Sequence, residues 1–383
     1  MSLMLPLPDN DPVWIATSQQ LERMIGEVSK EPVLAIDTES NSLFAYRERV
    51  CLVQISTPTT DYLIDPLAIA DLSPLAPIFD QETIQKIFHA AEYDVICLKR
   101  DYGFRFRNIF DTMIAARILG EQQVGLGSLL QNHFSVNLNK RFQRADWGKR
   151  PLSPAMLDYA RMDTHYLFAL KDVMEKLLLE KGLMALARED FDLVSAVTQS
   201  EVQPNGKSCW KVAGGSRLSP RETTILQSLC EYRDRYAQKV DLPHFKVMSN
   251  DLLVEISRSM PQTQEELKDV PGMSDSLYRR HAEGLYNALK AGQIAPLLKK
   301  ARTKRPDQAM LNRYNALHEW RKEQGRKLKV ESDVILPRDY LEKIAAKNPA
   351  NLSELKEIMR EIPWRFEQYG KAIIAAIQPK GSL

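Results

Sequence analysis

Residues 33–39, Val-Leu-Ala-Ile-Asp-Thr-Glu, place a short apolar run directly before two carboxylates that are separated by one residue. Such a run predicts a buried β-strand. Residues i and i+2 of a strand share a face, so Asp37 and Glu39 are expected to point to the same place. Two unpaired carboxylates at one place repel each other, and a bound divalent cation would remove that conflict. The stretch therefore predicts a sheet with an acidic site at the end of one strand.

Further short apolar runs, separated by turn-rich breaks, occur at residues 50–55, 62–64 and 84–88, and they predict more strands of the same sheet. Helical patterns follow at residues 95–100 and 111–119. Strands and helices are thus expected to share a single α/β core in the first part of the chain.

A longer helix is predicted to begin at Ser153 and to end at Glu180, because Ser suits the N-cap and Pro154 suits the first helical position. Tyr159 and Asp163 lie four residues apart in this helix, which places a hydroxyl and a carboxylate on one helical face. Taken alone, such a pair is more often a half-buried tyrosine above a surface aspartate than a functional site.

Two more candidate groups lie where the predicted strand at 84–88 gives way to a helix. Asp94 falls in the first turn of that helix, where an acid ordinarily interacts with the helix dipole. His89 is interpreted first as a structural histidine, with contact to a substrate as the alternative. Ala90 and Ala91 are small, so a large group could approach this junction closely.

The chain changes character between residues 199 and 220, where a polar segment rich in small residues predicts the main domain boundary. Beyond it the sequence lacks strand patterning and predicts helices joined by turns that contain proline. This all-α part repeats itself at a constant offset of 88 residues, which indicates two copies of one helical module. The matched pairs are Leu229 and Leu317, Tyr232 and Trp320, Arg233 and Arg321, Leu253 and Leu341, Ile256 and Ile344, Pro261 and Pro349, and Leu267 and Leu355.

The acidic motifs, in the order Asp-x-Glu, Asp and Tyr-x-x-x-Asp, resemble those of the DEDDy exonucleases, and within that group they most resemble the ribonuclease D family. Residues 49–55, 110–116 and 146–152 look like signature segments of the same family. The repeated helical module is similar to the HRDC domain. Each motif is weak alone, whereas their order and spacing together make the resemblance specific.

The resemblance implies an α/β ribonuclease H-like exonuclease domain, with a mixed sheet flanked by helices, followed by two all-α HRDC-like helical domains. The exonuclease domain is expected at residues 1–200, the first HRDC-like domain at 207–298 and the second at 302–380. In the second copy, Ala346 stands where the first has Arg258, so equal contact of both copies with RNA is not expected.

The implied activity is that of a 3′-to-5′ exoribonuclease that uses two divalent ions, Mg²⁺ or Mn²⁺, which suit carboxylate ligands. Asp37 is expected to bridge the two ions, with Glu39 and Asp163 beside the nucleophile and Asp94 serving the leaving-group side, partly through water. Tyr159 would position the attacking water or help to deprotonate it.

The resemblance also suggests how RNA is bound. Leu43 is expected either to wedge against the terminal base or to be a core leucine beneath its loop. Residues 296–330 carry eleven Lys or Arg against three acids, so they could face phosphates or form an ordinary solvated surface. The substrate-binding candidates of this stretch are Lys299, Lys300, Arg302, Lys304 and Arg305. The substrate is expected to be RNA, in particular precursor tRNA 3′ ends, bound by a monomer.

Four other polar residues receive structural interpretations. Asp80 and Glu82 repeat the Asp-x-Glu spacing and are interpreted as the solvated start of a helix. Gln54 and Asp111 lie in the signature segments and are interpreted as mainly structural.

Composition excludes several classes of protein. The formal net charge of +2 does not identify a nucleic-acid binder by itself. No apolar run is long enough to span a bilayer and no signal pattern stands at the start, so a soluble protein is expected. The four cysteines form no Cys-x-x-Cys pair, which argues against a zinc cage or a disulfide framework and favours the reducing cytoplasm.

Three alternatives remain open from the sequence. A DNA 3′-to-5′ exonuclease of the Werner or proofreading type would use the same acids and Tyr159. A eukaryotic exosome-associated relative is a second alternative, although long low-complexity extensions are absent. A catalytically silent RNA-binding scaffold is the third, and it would need none of the four acids.

Overall fold

The structure is a computed structural model that describes residues 10–198, 218–298 and 307–378. The described residues form two compact units. Residues 10–40, 50–198 and 307–378 belong to the first unit, and residues 41–49 and 218–298 belong to the second. Within these residues, none of the helices is long and apolar enough to cross a bilayer.

A six-stranded sheet forms the centre of the first unit. Its strands are β1 (Val13–Ile15), β2 (Val33–Ser40), β3 (Val50–Ser56), β4 (Asp61–Ile64), β5 (Gln85–Phe88) and β6 (Ile109–Asp111). They are ordered β1-β4-β3-β2-β5-β6 across the sheet. The pairs β2-β3 and β3-β4 are antiparallel, whereas β1-β4, β2-β5 and β5-β6 are parallel. The mixed sheet confirms the predicted fold class.

Eight α-helices accompany the sheet within the described residues 10–198. They are α1 (Ser18–Val28), α2 (Ala76–Asp80), α3 (Glu92–Tyr102), α4 (Thr112–Leu119), α5 (Leu126–Phe134), α6 (Pro154–His165), α7 (Leu167–Glu180) and α8 (Met184–Ala196). Alternate residues of β2 pack into different clusters, because Ile36 joins a core with Val95 of α3, and Ala35 joins one with Leu170 of α7. The sheet is therefore covered on both faces.

The prediction of one helix from Ser153 to Glu180 is wrong, because α6 ends at His165 and α7 begins at Leu167. The end of α6 is held by the strands beneath it. The Thr164 and Ser56 hydroxyls are hydrogen-bonded at 2.7 Å, and His165 Nδ1 donates to Asp61 at 3.0 Å. These tertiary contacts end the helix although the apolar pattern continues.

The interpretation of Asp80 as the start of a helix is also wrong. Asp80 is the last residue of α2, and its carboxylate accepts hydrogen bonds from Arg105 at 2.7 Å and Arg107 at 3.0 Å.

The cysteines differ from the sequence-based expectation at one position. Cys51 and Cys97 are buried thiols, whereas Cys230 is disulfide-bonded.

The second unit contains the first helical module. Its helices are α9 (Pro220–Val240), α10 (His244–Val247), α11 (Asn250–Ser259) and α12 (Asp275–Ile294), with a 3₁₀ turn at Glu265–Asp269. Leu229, Leu253 and Ile256 lie in its buried core. Residues 41–49, which join β2 to β3 in the sequence, pack in this unit.

A hydrogen bond of Tyr46 and a cation–π contact of Phe44 hold residues 41–49 within the second unit. The Tyr46 hydroxyl donates to Asp234 at 2.9 Å, and His244 Nε2 donates to the same carboxylate at 2.7 Å. The ammonium group of Lys246 lies 3.8 Å from the centre of the Phe44 ring, which is a close cation–π contact.

The second helical module belongs to the first unit. Its helices are α13 (Gln308–Leu328), α14 (Ser332–Ile335), α15 (Arg338–Lys347), α16 (Leu352–Ile358) and α17 (Pro363–Ile377). Four of these, α13, α14, α15 and α17, begin 88 residues after α9, α10, α11 and α12. The repeat detected in the sequence is thus a repeat of whole helices.

The repeat includes one buried polar contact. Arg233 Nη1 donates to the carbonyl of Met248 at 3.0 Å, and Arg321 Nη1 donates to the carbonyl of Leu336 at 2.8 Å. Donors and acceptors are both related by the same offset of 88 residues, and both arginines are buried. Arg321 therefore supports the core of its module, which corrects its inclusion among residues that could face phosphates.

Arg365 fastens the second module to α8. Its guanidinium group is fully buried and donates to Glu189 at 3.0 Å, to Asp190 at 2.9 Å and to the carbonyl of Val334 at 2.9 Å. Burial raises the pKa of Glu189, and the charge of Arg365 opposes that rise. Removing the arginine would leave two acids without their cation.

We therefore expect Arg365→Met to destabilise the first unit by about 3–5 kcal/mol, the usual result of breaking a buried ion pair on one side. Arg338→Met is the matched control, because the side chain of Arg338 is 74% exposed and pairs with Glu342 on its own helix. The control should change stability by about 0–1 kcal/mol. Urea unfolding followed by circular dichroism measures both, and equal losses would contradict this role for Arg365.

Candidate active site

Three carboxylates meet above the end of β2. Asp37 and Glu39 project from β2, and Asp163 projects from α6, which packs across β2, β3 and β4. One oxygen of each lies within 4.8 Å of the others, and all three residues are partly buried. The structure thus brings together the residues that the strand and helix spacing pointed to.

Asp94 approaches this group from the other side of β2. It lies in the first turn of α3, is buried, and accepts a hydrogen bond from the Thr38 hydroxyl. Thr38 stands between Asp37 and Glu39, so the contact ties the first turn of α3 to the strand that carries two of the acids.

Burial and neighbouring negative charges raise the pKa values of all four acids. Burial, followed by the charges of Asp94, Asp163 and Glu39, raises the pKa of Asp37 well above its usual value. Burial and the neighbouring acids do the same for Glu39. Burial is also the largest cause that raises the pKa values of Asp94 and Asp163, each to about 7. A cluster that resists full ionisation, and offers only oxygen ligands, fits a hard divalent cation.

Tyr159 lies one helical turn before Asp163 and packs against two aromatic rings. The ring centres of Phe142 and Trp147 are each 6.0 Å from that of Tyr159. Burial, and then the charges of Asp163 and the two strand acids, raise the pKa of Tyr159 above its ordinary value. Its hydroxyl therefore keeps its proton at neutral pH.

His89 is neutral and oriented by a hydrogen bond. The Thr112 hydroxyl donates to the carbonyl of Phe88 at 3.1 Å, so the 2.9 Å contact with His89 has Nδ1–H as the donor. This leaves Nε2 as the acceptor nitrogen. Burial lowers the pKa of His89 to about 4. His89 lines the same cavity as Asp37, which keeps both interpretations of this residue open.

Asp111 holds the junction between β5 and α3. Its carboxylate accepts hydrogen bonds from the backbone N–H groups of Ala90 at 3.1 Å and Ala91 at 2.7 Å, as well as from Met113 and Ile114 in α4. Ala90 has a φ of 65°, a left-handed conformation that costs energy for a residue with a Cβ. Asp111 compensates for that strain and so fixes the start of the helix that carries Asp94.

Two adjoining cavities, of about 330 and 320 Å³, lie beside the acids and share Leu138, Asn139, Tyr159 and Asp163 as lining residues. Lys140 and Gln143 line the first cavity, and Arg141 lines the second. The sequence analysis did not select these residues. The signal that could have found them is the alternation of basic, aromatic and amide residues at 139–144.

The remaining candidates are placed differently. Leu43 is 40% exposed and belongs to the second unit, so it is not a core leucine. The other candidates, Lys299, Lys300, Arg302, Lys304 and Arg305, lie outside the described residues. Farther along the basic stretch, Lys322 and Lys327 pair with acids on their own helix, as expected for a solvated surface.

Two family models match the chain. A 3′-5′ exonuclease model matches residues 12–179, and an HRDC domain model matches residues 222–289 and 310–377. The chain is also 31% identical over 292 residues to ribonuclease D of Jannaschia sp. (strain CCS1), covering 74% of this chain and 75% of that relative. The chain belongs to the ribonuclease D family.

A second member of the ribonuclease D family, from Sphingobium indicum, is 29% identical and aligns over 95% of this chain and 94% of its own length. The crystal structure of Escherichia coli RNase D, an exoribonuclease involved in structured RNA processing, aligns over 97% of this chain and all of that one, with a TM-score of 0.73 and 25% identity.

Exosome proteins are similar as well. The exosome complex exonuclease RRP6 of Saccharomyces cerevisiae is 33% identical over 66% of this chain, which spans 37% of that relative. The chain spans between 30% and 50% of the length of the RRP6 and exosome-component relatives that it matches. The alignment with ribonuclease D of Sphingobium indicum, over 95% of this chain, spans the helical repeat as well as the exonuclease part.

The acid cluster predicts a measurable instability without metal. An acid whose pKa is raised in the folded state lowers stability progressively as the pH rises from its unfolded pKa to its folded pKa, so stability should fall between about pH 4 and pH 7 and then level off. In EDTA at pH 8, Asp37→Asn should therefore raise the melting temperature, by roughly 2–4 °C for each kcal/mol of repulsion relieved.

Asp172→Asn, at an exposed position of α7, is the control and should leave the melting temperature unchanged. Addition of Mg²⁺ should raise the melting temperature of the wild type and of the control, and should have much less effect on Asp37→Asn. A lower melting temperature for Asp37→Asn in EDTA would contradict the repulsion inferred for this cluster.

Proposed function

We propose that the chain is a 3′-to-5′ exoribonuclease that releases 5′-mononucleotides from the 3′ ends of RNA. The observation that carries this proposal is the meeting of Asp37, Glu39 and Asp163 within 4.8 Å of one another, beside Tyr159, in a member of the ribonuclease D family. A protein that only binds RNA would not require acids that destabilise one another.

Two divalent ions, Mg²⁺ or Mn²⁺, would be held by Asp37, Glu39, Asp94 and Asp163, with Asp37 at the centre of the group. Bound there, the ions would supply a lowered pKa for water and charge stabilisation for the attacking and leaving oxygens. Partly buried carboxylates that raise one another's pKa values support this assignment, because the positive charge offsets their repulsion.

The chain's own residues orient the reactants. Tyr159 would position the attacking water through its hydroxyl or help to deprotonate it, and its raised pKa favours the positioning role. Neutral His89 offers Nε2 as an acceptor, which suits a ribose hydroxyl of the terminal nucleotide. Exposed Leu43 provides an apolar side chain that could separate the terminal base from its neighbour.

The substrate that we propose is structured RNA with a free 3′ hydroxyl, in particular precursor tRNA. The similarity to Escherichia coli RNase D, an exoribonuclease involved in structured RNA processing, supports this class of substrate. We further propose that the protein acts as a monomer in the cytoplasm, where tRNA precursors are trimmed.

A time course on 3′-extended tRNA and on matched single-stranded DNA, with and without Mg²⁺ or Mn²⁺, tests the activity. We expect stepwise release of 5′-mononucleotides from the RNA only when a divalent ion is present. A 3′ phosphate should block the reaction. Faster degradation of the DNA would favour a DNA exonuclease, and cleavage of circular RNA would indicate an endonuclease.

Site variants separate chemistry from RNA binding. Asp163→Asn should abolish cleavage while RNA affinity stays nearly unchanged, because it removes a ligand and not a phosphate contact. Tyr159→Phe should lower kcat by about 10²-fold or more, since the variant lacks only the hydroxyl that orients water. Asp172→Asn, on the exposed face of α7, should behave like the wild type. Wild-type turnover in either site variant would remove that residue from the mechanism.

Lys140 should contact a phosphate near the scissile bond, because it lines the cavity that holds the acids. Lys140→Met should reduce the slope of log affinity against log salt by about 0.7 for single-stranded RNA, the value for one phosphate contact. Lys149→Met is the matched control, since Lys149 lies in the same segment, is exposed, and does not line this cavity. Equal slopes for the two variants would rule out the contact.

A further inference from the structure

Gln54, in the middle of β3, is fully buried. Neither its amide nitrogen nor its amide oxygen has a hydrogen-bond partner among the described residues. Most buried polar side chains are hydrogen-bonded, and an unpaired amide costs stability that an apolar residue of the same size would not. A residue that breaks this rule in the interior of a sheet needs an explanation.

The register of the sheet places Gln54 beneath the acid cluster. Gln54 is paired directly with Asp37 of the antiparallel neighbour β2. Residues that are directly opposite in such a pair share a face, and their Cβ atoms lie about 4.5–5.5 Å apart. The Gln54 side chain is therefore on the same side of the sheet as Asp37 and Glu39.

This side of the sheet is covered by α6. Two residues before Gln54, Leu52 belongs to the same core cluster as Ala160 of α6, and two residues after it, the Ser56 hydroxyl is hydrogen-bonded to Thr164 of α6 at 2.7 Å. Gln54 lies between these contacts, under the turn of α6 that carries Asp163.

The other neighbours of Gln54 do not provide a partner. On β4, the paired residue is Leu63, which is apolar. Ser56 already bonds to Asp61 at 2.6 Å and to Thr164. The residue directly opposite Gln54 on β2 is Asp37, whose side chain carries a carboxylate.

We infer that Gln54 is a positioning residue for the acid cluster: once the cluster holds its divalent cation, the side-chain amide, which has no partner among the described residues, donates a hydrogen bond to the carboxylate of Asp37 and holds it towards Glu39 and Asp163. The inference rests on the proposed function. Hydrogen bonds of this kind orient metal ligands, and their loss typically weakens metal binding. The cost of burying the amide is thus explained by its action on Asp37.

Gln54→Met tests the inference, because it keeps the length of the side chain and removes the amide. We expect its melting temperature in EDTA to equal or exceed that of the wild type. We expect the Mg²⁺ concentration that gives half of the thermal stabilisation to rise by about 10–100-fold. This second measurement needs no RNA cleavage, so it reports on Gln54 even if the proposed activity fails.

Val53→Ala is the control for a general loss of packing, since Val53 is buried in the core cluster that contains Ile36 and Ile55. It should lower the melting temperature without shifting the Mg²⁺ midpoint. Gln54→Asn, which keeps the amide but shortens the side chain, should shift the midpoint in the same direction as Gln54→Met if the latter fails to fold. An unchanged Mg²⁺ midpoint in the Gln54 variants, or an equal shift in Val53→Ala, would overturn the inference.

Discussion

Mutual repulsion among buried carboxylates is the constraint around which the exonuclease part of the chain is arranged. Asp37, Glu39 and Asp163 lie within 4.8 Å of one another, and their pKa values are raised by burial and by one another. Side chains in such a position would move apart if their backbones were free to shift. The surrounding structure must therefore hold three elements in place against this repulsion. They are β2 with Asp37 and Glu39, α6 with Asp163, and α3 with Asp94, whose charge also acts on the strand acids.

Each of the two helices is held by polar contacts at the end nearest the acids. For α6, Thr164 and His165 bond to Ser56 and Asp61 of the neighbouring strands, which also ends the helix there. For α3, the carboxylate of Asp111 holds the preceding backbone. Residues that look in the sequence like ordinary helix caps and core polar groups thus hold the mutually repelling acids together. Proteins usually depart from the rules of stable packing at functional sites, and compensate elsewhere in the structure.

The sequence predicted the parts of the fold that follow from periodicity. Apolar runs of adequate length located β2 to β5, and the i, i+2 and i, i+4 spacings identified the acids. Strands β1 and β6, of three residues each, are too short for a pattern to be recognised. The break at Tyr166 and the burial of Arg365 depend on partners distant in the sequence. Lys140 was missed for a different reason: a single charged residue in a loop follows neither the helix nor the strand periodicity.

The helical repeat shows that matched sequence positions predict a shared core but not shared contacts. The positions that build each module are preserved, including the buried arginine of α9 and α13, whereas the edges formed by the short helices α10 and α14 differ. On α14, Asp333 pairs with Arg117 at 2.7 Å and Val334 packs into the exonuclease core. On α10, the counterpart of Val334 is Lys246, which lies over the Phe44 ring. The two modules have the same kind of core, but each packs against a different part of the exonuclease sequence. Sequence matches that are mostly apolar are therefore evidence of a shared fold and not of equal function.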